Sequence, residues 1–315
     1  MTKNIRIVAP SGSIANKSLS DKEQVKEIFH RFNTTVSYGA HTDETDAFYS
    51  SKIASRLSDI HEAFKDNTVQ FIQAASGGSN SNQLLDYIDY NLIKKNPKPF
   101  LGQSDTTALL NAIYAQTGVI TYHGPHFTTL LKNLDSEYTL SWLEAFLNQS
   151  DCWLDVKPSP FYGDKKNHTT KNEGYQIINQ GSAKGKIIGG NLPTLTLLQG
   201  TRYWPDLTDK ILFIEYDGMV GEFVPEEFDR DLMSLLQQKN SDKIKALVLG
   251  RFTSNSNMDF NKLKSILSTK PILNNIPVIA GVDFGHTNPL IIFPIGGDCM
   301  LDVTDSVSLK IKLFL

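Results

Sequence analysis

The stretch Phe100-Leu101-Gly102-Gln103-Ser104-Asp105-Thr106-Thr107, continued by Ala108 to Tyr114, decides the fold. Its apolar Pro99-Phe100-Leu101 entry reads as a short strand, and Thr106 to Tyr114 reads as a helix that starts almost at once. A strand that feeds straight into a helix is the repeating unit of an α/β layer architecture. Ser104 stands at the junction, where a nucleophile elbow exposes a hydroxyl at the C-terminal edge of a sheet. The helix N-terminus behind it favours negative charge, and the backbone N–H of Asp105 is placed to donate to an oxyanion. The elbow motif has a second glycine two residues after the serine, where this chain has Thr106, and the same residues also describe a serine that simply caps a helix.

Reading outward, the same alternation recurs. Ile5 to Ala9 is a strand, Ser20-Asp21-Lys22-Glu23 has capping-box spacing, and Val25, Ile28, Phe29 and Phe32 follow at helical period. Thr35 to Tyr38 and Val69 to Ala75 are further strands, with a helix over Ile53 to Phe64 between them. Leu84 to Ile88 reads as helical, and Tyr138 to Leu147 is a helix that closes the first unit. From 157 to 172 the periodicity dissolves into Pro, Gly, Asp, Asn, Lys and Thr, which marks an inter-domain loop. The expectation is therefore two domains: residues 1–156 with a parallel sheet, and residues 173–315 as a mixed α/β unit. The second has strands at Ile211 to Glu215, Ala246 to Leu249, Val278 to Ala280 and Val307 to Phe314, and a helix over Glu226 to Leu236.

The chain has 315 residues, which favours two packed units over one. Apolar residues make up 40%, charged residues 21%, and the net charge is −3, a balance that asks for neither nucleic acid nor an anionic membrane. No apolar run approaches the roughly 18 residues that would span a bilayer, and the apolar run after Lys3 is too short for a signal peptide. Cys152 and Cys299 lack the paired spacing of a zinc or redox motif and suit a reducing, cytoplasmic compartment.

Three further positions invite chemistry. Ser76-Gly77-Gly78 ends a strand, so an N–H of the glycine pair can lie close to a ligand, or the pair is only a tight turn. It does not fit the dinucleotide fingerprint, no phosphate loop occurs elsewhere, and no cofactor is expected. A serine nucleophile needs a base, and His286 lies just past a buried-looking strand in a Gly- and Pro-flanked loop, where a structural histidine would also fit. Glu215 ends the apolar run Ile211-Leu212-Phe213-Ile214 and suits a carboxylate that orients an imidazole, with Asp217 a rival in the same loop. His123-Gly124-Pro125-His126 resembles a metal pair only superficially, since Gly-Pro breaks a helix and no further ligand is near; no metal is expected.

Taken in order, Ile7-Val8-Ala9-Pro10-Ser11-Gly12, Gly77-Gly78, Phe100 to Asp105, Gly189-Gly190-Asn191-Leu192, Gly200-Thr201, Ile211 to Glu215 and Gly285-His286 resemble the LD-carboxypeptidase family of serine peptidases. The similarity runs over essentially the whole chain. It implies a Ser–Glu–His triad at Ser104, Glu215 and His286, an oxyanion hole at Gly78 and Asp105, and a site formed across the junction of two domains. The segments Leu92 to Phe100, Ala108 to Tyr114 and Tyr122 to Phe127 look closer to the microcin C self-immunity branch than to the murein-recycling branch. That branch implies a small aminoacyl-nucleotide or peptide substrate, a homodimer, and substrate contacts at Asn191 and at an inter-domain aromatic. Members often carry tryptophan at the last position, whereas this chain offers Phe161 and Tyr162. A two-lobed binding protein without catalysis is the reading from another class.

Overall fold

A computed structural model describes residues 2–149, 151–164 and 170–314. Residues 165–169, part of the expected inter-domain loop, lie outside the described residues.

The first sheet is built from β1 (Lys3–Val8), β2 (Thr34–Tyr38), β3 (Phe71–Ala74), β4 (Phe100–Gly102) and β5 (Thr121–His123). These five run parallel, and the helices Leu19–Arg31, Ile53–Lys65 and Thr106–Thr117 lie along the crossovers. Beyond residue 149 come β6 (Trp153–Asp155), the small pair β7 (Phe161–Tyr162) and β8 (Thr170–Lys171), then β9 (Gln176–Asn179), β10 (Gly181–Asn191), β11 (Lys210–Glu215), β12 (Ala246–Arg251), β13 (Val278–Gly285), β14 (Phe293–Ile295), β15 (Asp298–Val303) and β16 (Val307–Lys312). The second sheet is mixed, in the order β6-β16-β15-β10-β11-β12-β13-β9, with β10 to β13 parallel. The mixed α/β class with a parallel first sheet is thus present. Each sheet also takes an edge strand from the other half of the chain. β14 pairs antiparallel with β5, and β6, just ahead of residue 156, edges the second sheet against β16.

Two local expectations are corrected. The capping box belongs to Ser18 and Asp21 rather than Ser20 and Glu23: Ser18 Oγ accepts from Asp21 N–H at 3.0 Å, and Asp21 accepts from Ser18 N–H at 3.0 Å. An aspartate at the third helical position reaches back as a glutamate would, so the helix begins a turn-fraction earlier. Of the segment 84–88 only Leu84 is helical, as the last residue of a 3₁₀ turn, Ser81–Leu84, and the α-helix comes after the segment, at Tyr90–Lys95. Asp89 caps that helix through Leu92 N–H, whose aspartate-to-amide bond fixes the start that periodicity alone misplaces.

Aromatic packing joins the two sheets. His123 stacks on Phe293 at 4.6 Å, and Phe293 in turn meets Phe213 at 4.9 Å and Phe284 at 5.2 Å. Side chains alternate along a strand, so Phe213 and Glu215 share one face of β11, and Phe284 stands two residues before His286. The buried aromatic cluster is therefore the floor on which the strand ends carrying Glu215 and His286 rest. The helix after Ser104 is tied to the second sheet as well: Asn111 Nδ2 donates to Gly189 O at 2.8 Å, and Asn191 N–H donates to Thr107 Oγ1 at 3.1 Å. Among the described residues no helix is long and apolar enough to cross a membrane.

Candidate active site

Ser104 follows β4 with φ of +58°, a left-handed conformation that costs a non-glycine residue of order 1–3 kcal/mol. A capping serine would be extended and would accept an N–H of the first helical turn. Here the helix is preceded by Asp105, and the Ser104 hydroxyl turns away from it, to His286 Nε2 at 3.1 Å. The simple capping role is thereby excluded, and the strained turn is that of an elbow.

His286 follows β13 directly and its Nδ1 lies 2.8 Å from Glu215 Oε2. Glu215 ends β11, two strands away in the sheet, with β12 passing between. Close approach here depends on Gly285, whose φ is +106° and whose added Cβ would fall 2.8 Å from Glu215 Cβ. Glu215 is 2% exposed, so its interaction with the imidazole is little screened. Burial on its own would lower the His286 pKa, but the charge of Glu215 and its hydrogen bond override burial and hold it above the ordinary imidazole value. Asp217 is engaged elsewhere, accepting Met219 N–H at 2.9 Å and Asn191 Nδ2 at 3.1 Å.

The turn Ser76-Gly77-Gly78 comes off the end of β3 beside the elbow. The buried Asp105 carboxylate binds the two together by accepting Asn80 N–H at 2.9 Å, Ser81 N–H at 2.8 Å and the Ser11 hydroxyl. Gly77 O accepts Gly12 N–H at 2.9 Å, so the segment Pro10-Ser11-Gly12 after β1 backs the same turn. The strand ends of both sheets thus converge on one place. Crevices outside the carboxyl ends of parallel strands are where ligands bind in open α/β sheets.

The remaining expected residues have other neighbours. Asn191 is buried and caps the short helix Leu192–Thr196, accepting Thr194 N–H at 3.1 Å. Tyr162 lies under the Arg251 guanidinium, 4.1 Å from the ring centroid, and Arg251 is itself paired with buried Asp283 at 2.9 Å. Phe161 is half exposed. The adjoining Gly163 pairs with Asn288, two residues past His286, through N–H to O bonds of 2.9 and 2.8 Å, which brings this strand to the rim of the site.

His126, which the sequence offers only as half of a superficial metal pair, also reaches the site. A Cβ added to Gly77 would lie 3.3 Å from Ser104 Oγ and 3.4 Å from His126 Nε2. The signal was there to read: His126 follows β5, the neighbour of β4, at the same sheet edge.

Residues 5–124 match the LD-carboxypeptidase N-terminal domain and residues 184–301 match the LD-carboxypeptidase C-terminal domain. The chain belongs to the LD-carboxypeptidase family. It is 42% identical over 313 residues to the Bacillus subtilis (strain 168) protein named "Putative carboxypeptidase YocD", covering 96% of this chain and 94% of that protein. Among solved structures it is similar to an MccF-like protein from Bacillus anthracis, with a TM-score of 0.95 and 40% identity over 99% of this chain and 97% of the other. It is also similar to the microcin C7 self-immunity protein MccF in complex with aspartyl sulfamoyl adenosine, with a TM-score of 0.81 and 27% identity over 99% and 96% of the two chains. As a member of the LD-carboxypeptidase family the chain is a serine hydrolase.

Proposed function

We propose that this LD-carboxypeptidase-family hydrolase cleaves the amide of an aminoacyl-nucleotide of the microcin C type, with Ser104 as nucleophile, His286 as base and Glu215 as orienting acid. The observation that carries the reading is the unbroken chain from Ser104 Oγ to His286 Nε2 and from His286 Nδ1 to Glu215 Oε2, at 3.1 and 2.8 Å. In this reading the buried Glu215 carboxylate accepts the Nδ1 proton, so Nε2 presents a lone pair to the hydroxyl. Ser104 Oγ attacks the acyl carbon as its proton passes to His286 Nε2. The C–N bond then breaks, and His286 returns that proton to the leaving nitrogen. Water, deprotonated by His286 Nε2, then attacks the acyl carbon, the ester bond to Ser104 Oγ breaks, and His286 returns the proton to Oγ as the acid product leaves. The N–H groups of Gly78 and Asp105 receive the oxyanion, which preorganised donors stabilise in a site that water leaves.

The substrate class is supported by likeness to the MccF structure that holds aspartyl sulfamoyl adenosine. Phe161, half exposed on the strand pinned beside His286, is the freer ring to stack on a base, because one face of Tyr162 is already covered by Arg251. Asn191 acts with Asp217 at the substrate side of β11. The same reading takes the protein to be a cytoplasmic homodimer with domains at 1–156 and 173–315. A murein tetrapeptide carboxypeptidase that releases D-alanine is the second reading, favoured by the carboxypeptidase name of the 42% identical relative.

The test is hydrolysis of an aspartyl adenylate amide and of an L,D-linked murein tetrapeptide, side by side, by the wild type and Ser104→Ala. Cleavage of the adenylate alone, lost in the variant, is the expected result. Release of D-alanine alone moves the substrate to the cell wall, and no turnover of either favours the binding-protein reading.

A further inference from the structure

A second histidine faces the reacting atoms with its proton fixed in a usable place. His126 caps the short helix Phe127–Leu130, and its Nδ1 accepts the backbone N–H of Thr129 at 3.3 Å. A backbone amide can only donate, so Nδ1 must be the unprotonated ring nitrogen and the neutral ring carries its hydrogen on Nε2. The hydroxyls of Thr129 at 2.8 Å and Thr128 at 3.1 Å lie against the same Nδ1 and reinforce that tautomer. No hydrogen-bond partner for Nε2 occurs among the described residues, although His126 is only 8% exposed. The missing side chain of Gly77 is what leaves Nε2 open toward Ser104: any Cβ there would stand within 3.4 Å of both Ser104 Oγ and His126 Nε2.

We propose that His126 is a third oxyanion-hole donor, a neutral Nε2–H that bonds the acyl oxygen of the substrate alongside the backbone N–H groups of the elbow and the glycine turn. The role rests on Ser104 being the nucleophile. A side-chain donor aimed where charge develops, in a site closed to water, is the kind of group whose loss costs a hydrolase rate rather than affinity. Neutrality matters as well, since His286 becomes cationic during turnover and a second imidazolium nearby would oppose it. Burial, and then the charge of His286, push the His126 pKa down to about 3, so the ring donates without titrating at neutral pH.

Two substitutions separate the donor from the helix cap. His126→Asn keeps an oxygen where Nδ1 accepts the Thr129 amide, and asparagine is among the best capping residues, but its amide falls short of the Nε2 position. His126→Gln reaches the Nε2 position with an N–H and gives up the cap. The readout is the second-order rate at which a fluorophosphonate modifies Ser104, whose phosphoryl oxygen occupies the oxyanion position, with thermal melting run on each variant. The Asn variant is expected to react about 100-fold more slowly than wild type, the size of effect seen when one oxyanion donor is removed. The Gln variant should lie well above it, despite the weaker cap. An Asn variant as fast as Gln, or faster, would overturn the donor role and leave His126 a cap alone. Ser104→Ala, treated in parallel, keeps the two claims apart: if that variant is still modified at the site, the Ser104 reading fails and the His126 comparison is not the cause.

Discussion

Replacing Glu215 by glutamine changes one charge with almost no change in shape, and the surroundings let its effect be worked out. The carboxylate is 2% exposed and accepts the His286 Nδ1 proton through Oε2 at 2.8 Å, while Oε1 is buried with no hydrogen-bond partner among the described residues. A glutamine amide can meet Nδ1 in two ways. If its NH₂ points at the ring, Nδ1 must become the acceptor, the ring proton moves to Nε2, and Nε2 can no longer take the Ser104 proton. If its oxygen points at the ring the tautomer survives, but the NH₂ is left in the Oε1 position without an acceptor, and no negative charge remains to stabilise the imidazolium. Either way the rate falls. The equivalent change in a serine triad costs about 10⁴-fold in kcat, or roughly 5 kcal/mol of transition-state stabilisation. Steady-state kinetics on whichever amide the wild type cleaves would show that fall, with unfolding midpoints confirming that the variant is intact. A Glu215→Gln enzyme within about tenfold of wild type would refute the claim that this carboxylate orients and supports the base.

Two charge pairs with a buried carboxylate, Glu215–His286 and Asp283–Arg251, each carry a measurable consequence. His286 has a raised pKa, so its protonated form persists to higher pH than a free imidazole, and the neutral base that the proposed mechanism needs appears only above that value. The acidic limb of a kcat/KM–pH profile should therefore lie above 6.5, the ordinary histidine value, and residual activity in Glu215→Gln should show the limb displaced to lower pH. A wild-type limb below 6.5 would contradict the Glu215–His286 coupling. Away from the site, Asp283 is fully buried and holds both Arg251 Nε at 2.9 Å and Ser159 N–H at 2.8 Å. Asp283→Ala leaves the guanidinium buried without its partner and should destabilise folding by about 3–5 kcal/mol in denaturant titrations. A loss near zero would mean that water replaces the carboxylate there.

What the sequence made legible was local. The strand, glycine and helix around Ser104 are contiguous, so their pattern puts the serine at a strand-to-helix junction without any tertiary knowledge, as an elbow or as a helix cap. The ambiguity between elbow and helix cap is a matter of local geometry: the +58° φ of Ser104 and the turn of its hydroxyl to His286 rule out the cap. Glu215 and His286 sat plausibly at strand ends, yet Ser104 and His286 are 182 residues apart, and periodicity says nothing about which strand ends meet. The family resemblance, not spacing, implies that the three belong together. The exchanged edge strands β6 and β14 were invisible for the same reason, because pairing at a sheet edge is decided by tertiary packing. Within helices the errors were of capping: Ser18 and Asp89, rather than the apolar period, determine where the helices Leu19–Arg31 and Tyr90–Lys95 begin. The spacing of His123 and His126 suggests at most a metal pair, whereas His123 is sealed in the aromatic floor, stacked on Phe293, and only His126 opens toward the serine.

The most direct test of the central claim is to react the wild type and Ser104→Ala with a fluorophosphonate and map the adduct by peptide mass spectrometry. The account predicts one adduct, on Ser104, absent from Ser104→Ala and formed far more slowly in His286→Ala. An adduct on another serine, or one that survives the loss of Ser104, would contradict it.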